Sequence, residues 1–154
     1  MKGNLSSRTE FSGKTISRIL ISAEEALLNS IVHGNLEIGS DIRETSMSQY
    51  QALIESRMQD PQFEDRKINL EISLNRIRFQ LQIKDQGQGF ESENVQDPRD
   101  EKYISRASGR GLLLMRTFMD SVEYSDNGRC VCMTKLMPPN LPRPEQKQEA
   151  VSCS

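Results

Sequence analysis

The sequence predicts an α+β domain, a two-layer sandwich in which helices cover one face of a largely antiparallel sheet. Three observations carry this. Two hairpin-like stretches alternate apolar and polar residues, as strands with one covered face do. Segments with apolar residues three and four apart precede and separate them, as covering helices would. The 154 residues amount to one domain with room for a single core.

Taken in order, the first helix is expected over residues 16–33. There Ile16, Ile19, Leu20, Ala23, Leu27 and Ile31 recur at helical spacing, and Gly34 supplies a stop. Met47, Tyr50, Leu53, Ile54, Arg57 and Met58 mark a short amphipathic helix that ends before Asp60-Pro61. The first hairpin spans residues 67–85. One arm alternates Ile68, Leu70, Ile72 and Leu74 with polar residues, and the other alternates Ile77, Phe79, Leu81 and Ile83, so each arm should have one dry and one wet face. A third helix, residues 112–119, carries Leu112, Met115, Phe118 and Met119 and is entered from Gly109 and Gly111. The second hairpin joins residues 121–125 to 129–136 through Asp126-Asn127-Gly128, a strong tight-turn signal. Residues 138–154 hold four of the six prolines beside Gln, Glu, Lys and Ser, and read as a disordered tail behind a domain of residues 1–137.

Composition narrows the function. A net charge of −2, with no block of like charge, speaks against a general nucleic-acid or anionic-membrane binder. No apolar run approaches the ~20 residues of a membrane span, and the start lacks the layout of a secretory signal, so a cytoplasmic protein is expected. Three cysteines are an odd number; Cys130 and Cys132, two apart on a strand, read as buried free thiols rather than a zinc knuckle.

The chemistry concentrates in three places. Six of the nine glycines fall in pairs at element ends: Gly34 and Gly39, Gly87 and Gly89, Gly109 and Gly111. Such pairs bring backbone close to a ligand, and ordinary turns explain any one of them equally well. Extending the alternation Ile77, Phe79, Leu81, Ile83 by one step puts Asp85 on the buried face, where a carboxylate must have a partner. Two readings stand: Asp85 caps the Gln86-Gly87 turn, or it is an acceptor at the mouth of an apolar pocket.

Glu25, Asn29 and His33 share one polar stripe on the first helix, opposite Leu20, Leu27 and Ile31. A polar stripe is commonly a solvated face, but Asn is a poor helix former, and a carboxylate with an amide oxygen one turn away suits a hard cation carrying phosphate. His33 alone reads better as a helix-end hydrogen-bonding residue. Ser108-Gly109-Arg110-Gly111 opens into Leu112-Leu113-Leu114, where backbone N–H groups at a helix start, with Arg110, would form an anion site. It is not a Walker motif.

These places, in this order, resemble the GHKL (Bergerat-fold) ATP-binding superfamily, and more narrowly its anti-sigma-factor serine/threonine kinase branch. The N box corresponds to residues 25–35, the first glycine box to Asp85-Gln86-Gly87-Gln88-Gly89-Phe90, and the second to Ser108-Gly109-Arg110-Gly111-Leu112. Residues 118–122 and the Asn127-Gly128 hairpin also match, so the likeness runs from about residue 19 to 136. The resemblance implies ATP and Mg²⁺ as ligands, with Glu25 as general base, Asn29 as Mg²⁺ ligand and Asp85 as acceptor for the adenine amino group. His33, Gly87, Gly89, Phe90, Gly109, Arg110, Gly111 and Leu112 would complete the nucleotide site, and residues 90–108 would be a mobile lid.

Two departures from the branch stand out. Its members carry a strand and a long helix ahead of the N box, in the region used for dimerisation and for gripping the sigma factor; here that strand is expected to be missing and the helix shortened. Between Asn35 and Lys67 there is a longer insertion than in the smallest relatives. Its amphipathic segment either packs on the core or offers a docking surface. The resemblance implies phosphorylation of an anti-anti-sigma (STAS-domain) partner, with a sigma factor and a homodimer as further associations. A non-catalytic ATP-gated binding module and an ATPase without protein acceptor are the alternatives. Glu25 favours a catalyst, and the short N-terminal stretch favours the module.

Overall fold

A computed structural model describes residues 11–39, 42, 46–89 and 107–138. Helix α1 (Gly13–Asn29) starts where the Ser12 hydroxyl accepts the Thr15 N–H, satisfying one of the donors that a helix start leaves open. It does not stop at its last apolar residue. It widens into a π-helical turn, Ser30–Asn35, closed by a five-residue hydrogen bond from the Leu36 N–H to the Ile31 carbonyl. Helix α2 (Met47–Met58), capped by Ser46, follows; then come β1 (Asn69–Leu74), β2 (Arg78–Lys84), α3 (Ala107–Phe118), β3 (Ser121–Ser125) and β4 (Cys130–Leu136).

The four described strands form one antiparallel sheet in the order β1-β2-β4-β3. Register pairs Ile83 with Val131 and Leu81 with Met133, so these four share a face. That face packs on Ile19 and Ala26 of α1, on Met115 of α3 and on Met119 just beyond it, making the main core. Gln80, Gln82 and Thr134 alternate to the other face, with the free thiols of Cys130 and Cys132 beside them. The α+β sandwich with helices over one face is therefore present. The Asp126-Asn127-Gly128 turn is also as the sequence predicts, with all three residues at positive φ.

Two expectations are corrected. In the first hairpin arm Ile68 packs against the main core, but the strand that follows, β1, has no dry face. Leu70, Ile72 and Leu74 lie opposite Ile83, Leu81 and Phe79, on the helix side of the sheet. Even so, Ile72 and Leu74 are each 64% exposed. β1 is an edge strand, and α1 lies against β2. The same geometry leaves Ile16 and Leu20, which helical spacing assigned to the core, exposed on α1. Alternation reports which side of a sheet a residue is on, but not whether anything lies over it. The second correction concerns α3, which begins at Ala107, upstream of the glycine pair. Helix propensity is a weak prior when packing opposes it, and Met115, with Met119 just past the end, anchors this helix in the core.

The insertion builds a second, smaller core. Tyr50 of α2 and Phe63 beyond it bury against Val32, Leu36 and Ile38, where the π-helical turn ends. The amphipathic segment packs on the domain through Tyr50, Leu53 and Ile54, while Met47 and Met58 at its ends are exposed. Phe90, most of the expected lid and the tail beyond residue 138 lie outside the described residues.

Candidate functional site

Asp85 follows the last residue of β2, its N–H still donated to the Arg129 carbonyl across the sheet. The ladder therefore delivers its side chain to the covered face, where it is 6% exposed. Its Oδ1 accepts the Gly87 N–H at 2.9 Å. The turn-capping reading is the one observed: Asp85 caps the turn, and it does so while buried. Burial pushes its carboxyl pKa up from the ordinary value; the Gly87 N–H and the charges of Arg129 and Arg66 oppose this without overcoming it.

Glycines let backbone segments crowd together at this end of the sheet. A Cβ on Gly34 would collide with the Asp85 carboxylate, and one on Gly87 would strike the Gly34 carbonyl. Gly89, at φ +81°, passes against the Asn127 carbonyl in the β3–β4 turn. The end of the N box, the first glycine box and the second hairpin turn thus meet at one place. Asn35, buried, accepts the Gln86 N–H on its Oδ1 at 2.7 Å.

The other end of the site lies between α1 and α3. Glu25 and Asn29 are on the same side of α1 as Arg18, whose guanidinium sits 5.3 Å from the centre of the Phe118 ring of α3. A Cβ on Gly111 would collide with the Glu25 carboxylate, so Gly111 permits the close contact of the two helices there. Glu25 and Asn29 are half-buried rather than solvated. Because α3 begins at Ala107, of the expected anion-binding residues only Gly109 falls where N–H groups lack intrahelical acceptors; Arg110, Gly111 and Leu112 lie further in, where the carbonyls four residues back accept. Leu112 packs against the main core, and Arg110 is exposed. His33 is used structurally: its Nδ1 lies 2.6 Å from the Ile38 carbonyl and, facing an acceptor, donates to it.

The arrangement is two-ended. One end holds a buried acceptor against the backbone of Gly34 and Gly87; the other holds a carboxylate against Gly111 of α3, with an amide one helical turn on along α1. A family model of the histidine kinase-like ATPase domain matches residues 3–135. The chain belongs to this family. Comparison with curated proteins and with solved structures returned no match. As a histidine kinase-like ATPase domain it is an ATP-binding regulatory type of protein, and its α+β fold is the one the family uses. No helix among the described residues is long and apolar enough to cross a membrane.

The structure of this ATPase domain brings Glu25 to Gly111 and Asp85 to Gly34, Gly87 and the turn that meets Gly89. Residues without an assigned role also reach the site. Asn35 was visible as the end of the N box, but its hydrogen bond to Gln86 spans residues 51 apart and has no local signature. Arg66, which bonds the Asn35 carbonyl, had no signal at all.

Proposed function

We propose that this domain is a cytoplasmic, ATP-dependent serine/threonine kinase of the anti-sigma type, acting on an anti-anti-sigma (STAS-domain) protein in a partner-switching pathway. Contact of Glu25 with Gly111 carries the reading: it puts a carboxylate against the N-terminal half of α3, just past the first turn whose N–H groups favour phosphate oxygens. Asn29, one helical turn on, supplies a neutral oxygen suited to Mg²⁺, which when bound would offset charge on the phosphates. Asp85 fits an adenine amino group, since it is a buried acceptor with glycine rather than side chains at 34 and 87. In the transfer, the hydroxyl oxygen of the protein substrate forms a bond to the γ-phosphorus. The bond from that phosphorus to the β,γ-bridging oxygen breaks, ADP leaves, and Glu25 takes the hydroxyl proton.

A non-catalytic ATP-gated binding module is the second reading. It is favoured by the exposed apolar residues of β1 and α1, which offer a partner surface independent of chemistry. Incubation with labelled ATP, Mg²⁺ and STAS-domain proteins separates the two. Label on a serine or threonine of the partner that is lost in Glu25→Gln supports the kinase. Nucleotide-dependent partner binding without label, unchanged in Glu25→Gln, supports the module.

A further inference from the structure

The insertion that follows the N box is tied to the adenine end of the site by an unbroken set of contacts. Arg57 and Arg66 place their guanidinium groups 4.6 and 4.8 Å from the centre of the buried Phe63 ring. Each also holds the chain that leaves the π-helical turn. Arg57 Nη1 donates to the Leu36 carbonyl, and Arg66 Nη1 donates to the Asn35 carbonyl, both at 2.8 Å. Arg66 pairs as well with the Glu37 carboxylate at 2.6 Å, at a residue whose backbone is left-handed, with φ 51°. The backbone of Asn35 is thereby fixed. Its side chain then holds the Gln86 N–H, and the Gln86 side chain in turn accepts the Lys67 N–H at 2.8 Å. Gln86 stands between Asp85 and Gly87, the two residues whose mutual hydrogen bond orients the carboxylate.

We infer that Asn35 and Arg66 are positioning residues: they hold the Asp85-Gln86-Gly87 turn so that the Asp85 carboxylate meets the amino group of an adenine nucleotide, and they thereby set its preference over a hypoxanthine nucleotide. The inference rests on Asp85 being the adenine acceptor. Hypoxanthine carries a carbonyl oxygen where adenine carries the amino group, so it offers an acceptor to an acceptor. Discrimination between the two bases therefore depends on the direction of the carboxylate, whereas the triphosphate is indifferent to it. A turn released from Asn35 keeps its hydrogen bond from Gly87 to Asp85 but can rotate as a unit.

The test is binding of ATP and of ITP to the full chain by calorimetry in the presence of Mg²⁺. Wild type should favour ATP by roughly ten- to a hundredfold, the worth of one buried hydrogen bond. Arg66→Met and Asn35→Leu should bring the ratio to within about threefold by weakening ATP while leaving ITP nearly unchanged. Asn35→Asp retains an oxygen for the Gln86 N–H and should keep most of the preference. Equal weakening of both nucleotides in Arg66→Met means a general structural role and overturns the inference. Should Asn35→Leu not fold, Arg66→Met, at a partly exposed side chain, decides the matter by itself. Asp85→Asn is measured alongside. If it leaves the wild-type ratio intact, or if wild type shows no preference, the adenine reading fails and this inference with it. If Asp85→Asn collapses the ratio while Arg66→Met preserves it, only the positioning role is lost.

Discussion

The Asp85 carboxylate occupies the space that a side chain on Gly34 would fill. One residue ends a strand and the other lies in the π-helical turn after α1, and neither has a local reason to meet the other. The contact sets what this end of the domain holds: a buried acceptor against bare backbone.

Alanine at Gly34 and at Gly87 should therefore fail in different ways. The Gly34 methyl meets the end of a side chain, which can turn aside; the Gly87 methyl meets a backbone carbonyl, which cannot. Gly87→Ala should cost about 1–3 kcal/mol in urea unfolding. Gly34→Ala should lose less stability and more ATP affinity. Equal stability losses would show that the Asp85 side chain is as fixed as the backbone.

Asp85 should destabilise the fold when ionised. Its folded pKa lies above its unfolded value of 3.8, with burial the main cause. The folded state therefore holds the proton more tightly, and stability falls as pH rises through the window between the two values. Asp85→Asn keeps an oxygen for the Gly87 N–H without the buried charge. Its Tm should exceed that of wild type at neutral pH, the gap closing as pH falls towards 3.8. ATP affinity should drop by a factor corresponding to roughly 1–3 kcal/mol. A lower Tm for Asp85→Asn at neutral pH would contradict this account.

Turnover and binding should separate at the other end. Glu25→Gln keeps shape and removes basicity, so phosphotransfer should fall by about two to four powers of ten with Mg-ATP affinity nearly intact. Asn29→Asp changes the charge next to the metal and should disturb binding itself. Single-turnover assays beside equilibrium binding distinguish the two outcomes.

The edge strand supplies a contrast with the core. Ile83 is completely buried, and Ile83→Ala should cost about 2–5 kcal/mol. Ile72 sits on the same side of the sheet but is 64% exposed, and Ile72→Thr should stay within about 0.5 kcal/mol of wild type. Chemical denaturation of both variants checks this; a large loss at Ile72 would mean that something covers β1.

Much of this protein is legible in the sequence because its signals are local. Alternation gives Leu81 and Ile83 as inward residues of β2, Asn127-Gly128 gives a hairpin turn, and i, i+4 spacing puts Glu25 and Asn29 on one side of α1. The first and last depend on backbone periods of two or 3.6 residues and the turn on the positive φ that Asn and Gly accept, all of which neighbours in the chain express directly. What tertiary structure decided was which of those faces is covered and which distant groups meet. Leu70 and Ile83 have the same pattern and opposite fates, since strand order puts β1 at the edge, beyond α1. The polar stripe of Glu25 and Asn29 is turned towards α3, and the apolar Leu20 towards solvent. Asn35 reaches Gln86, and Arg66 reaches Asn35, across long loops whose closure cost is settled only by the whole fold. Sequence period fixes the direction in which a side chain leaves its own backbone; what it finds there depends on how the other elements pack.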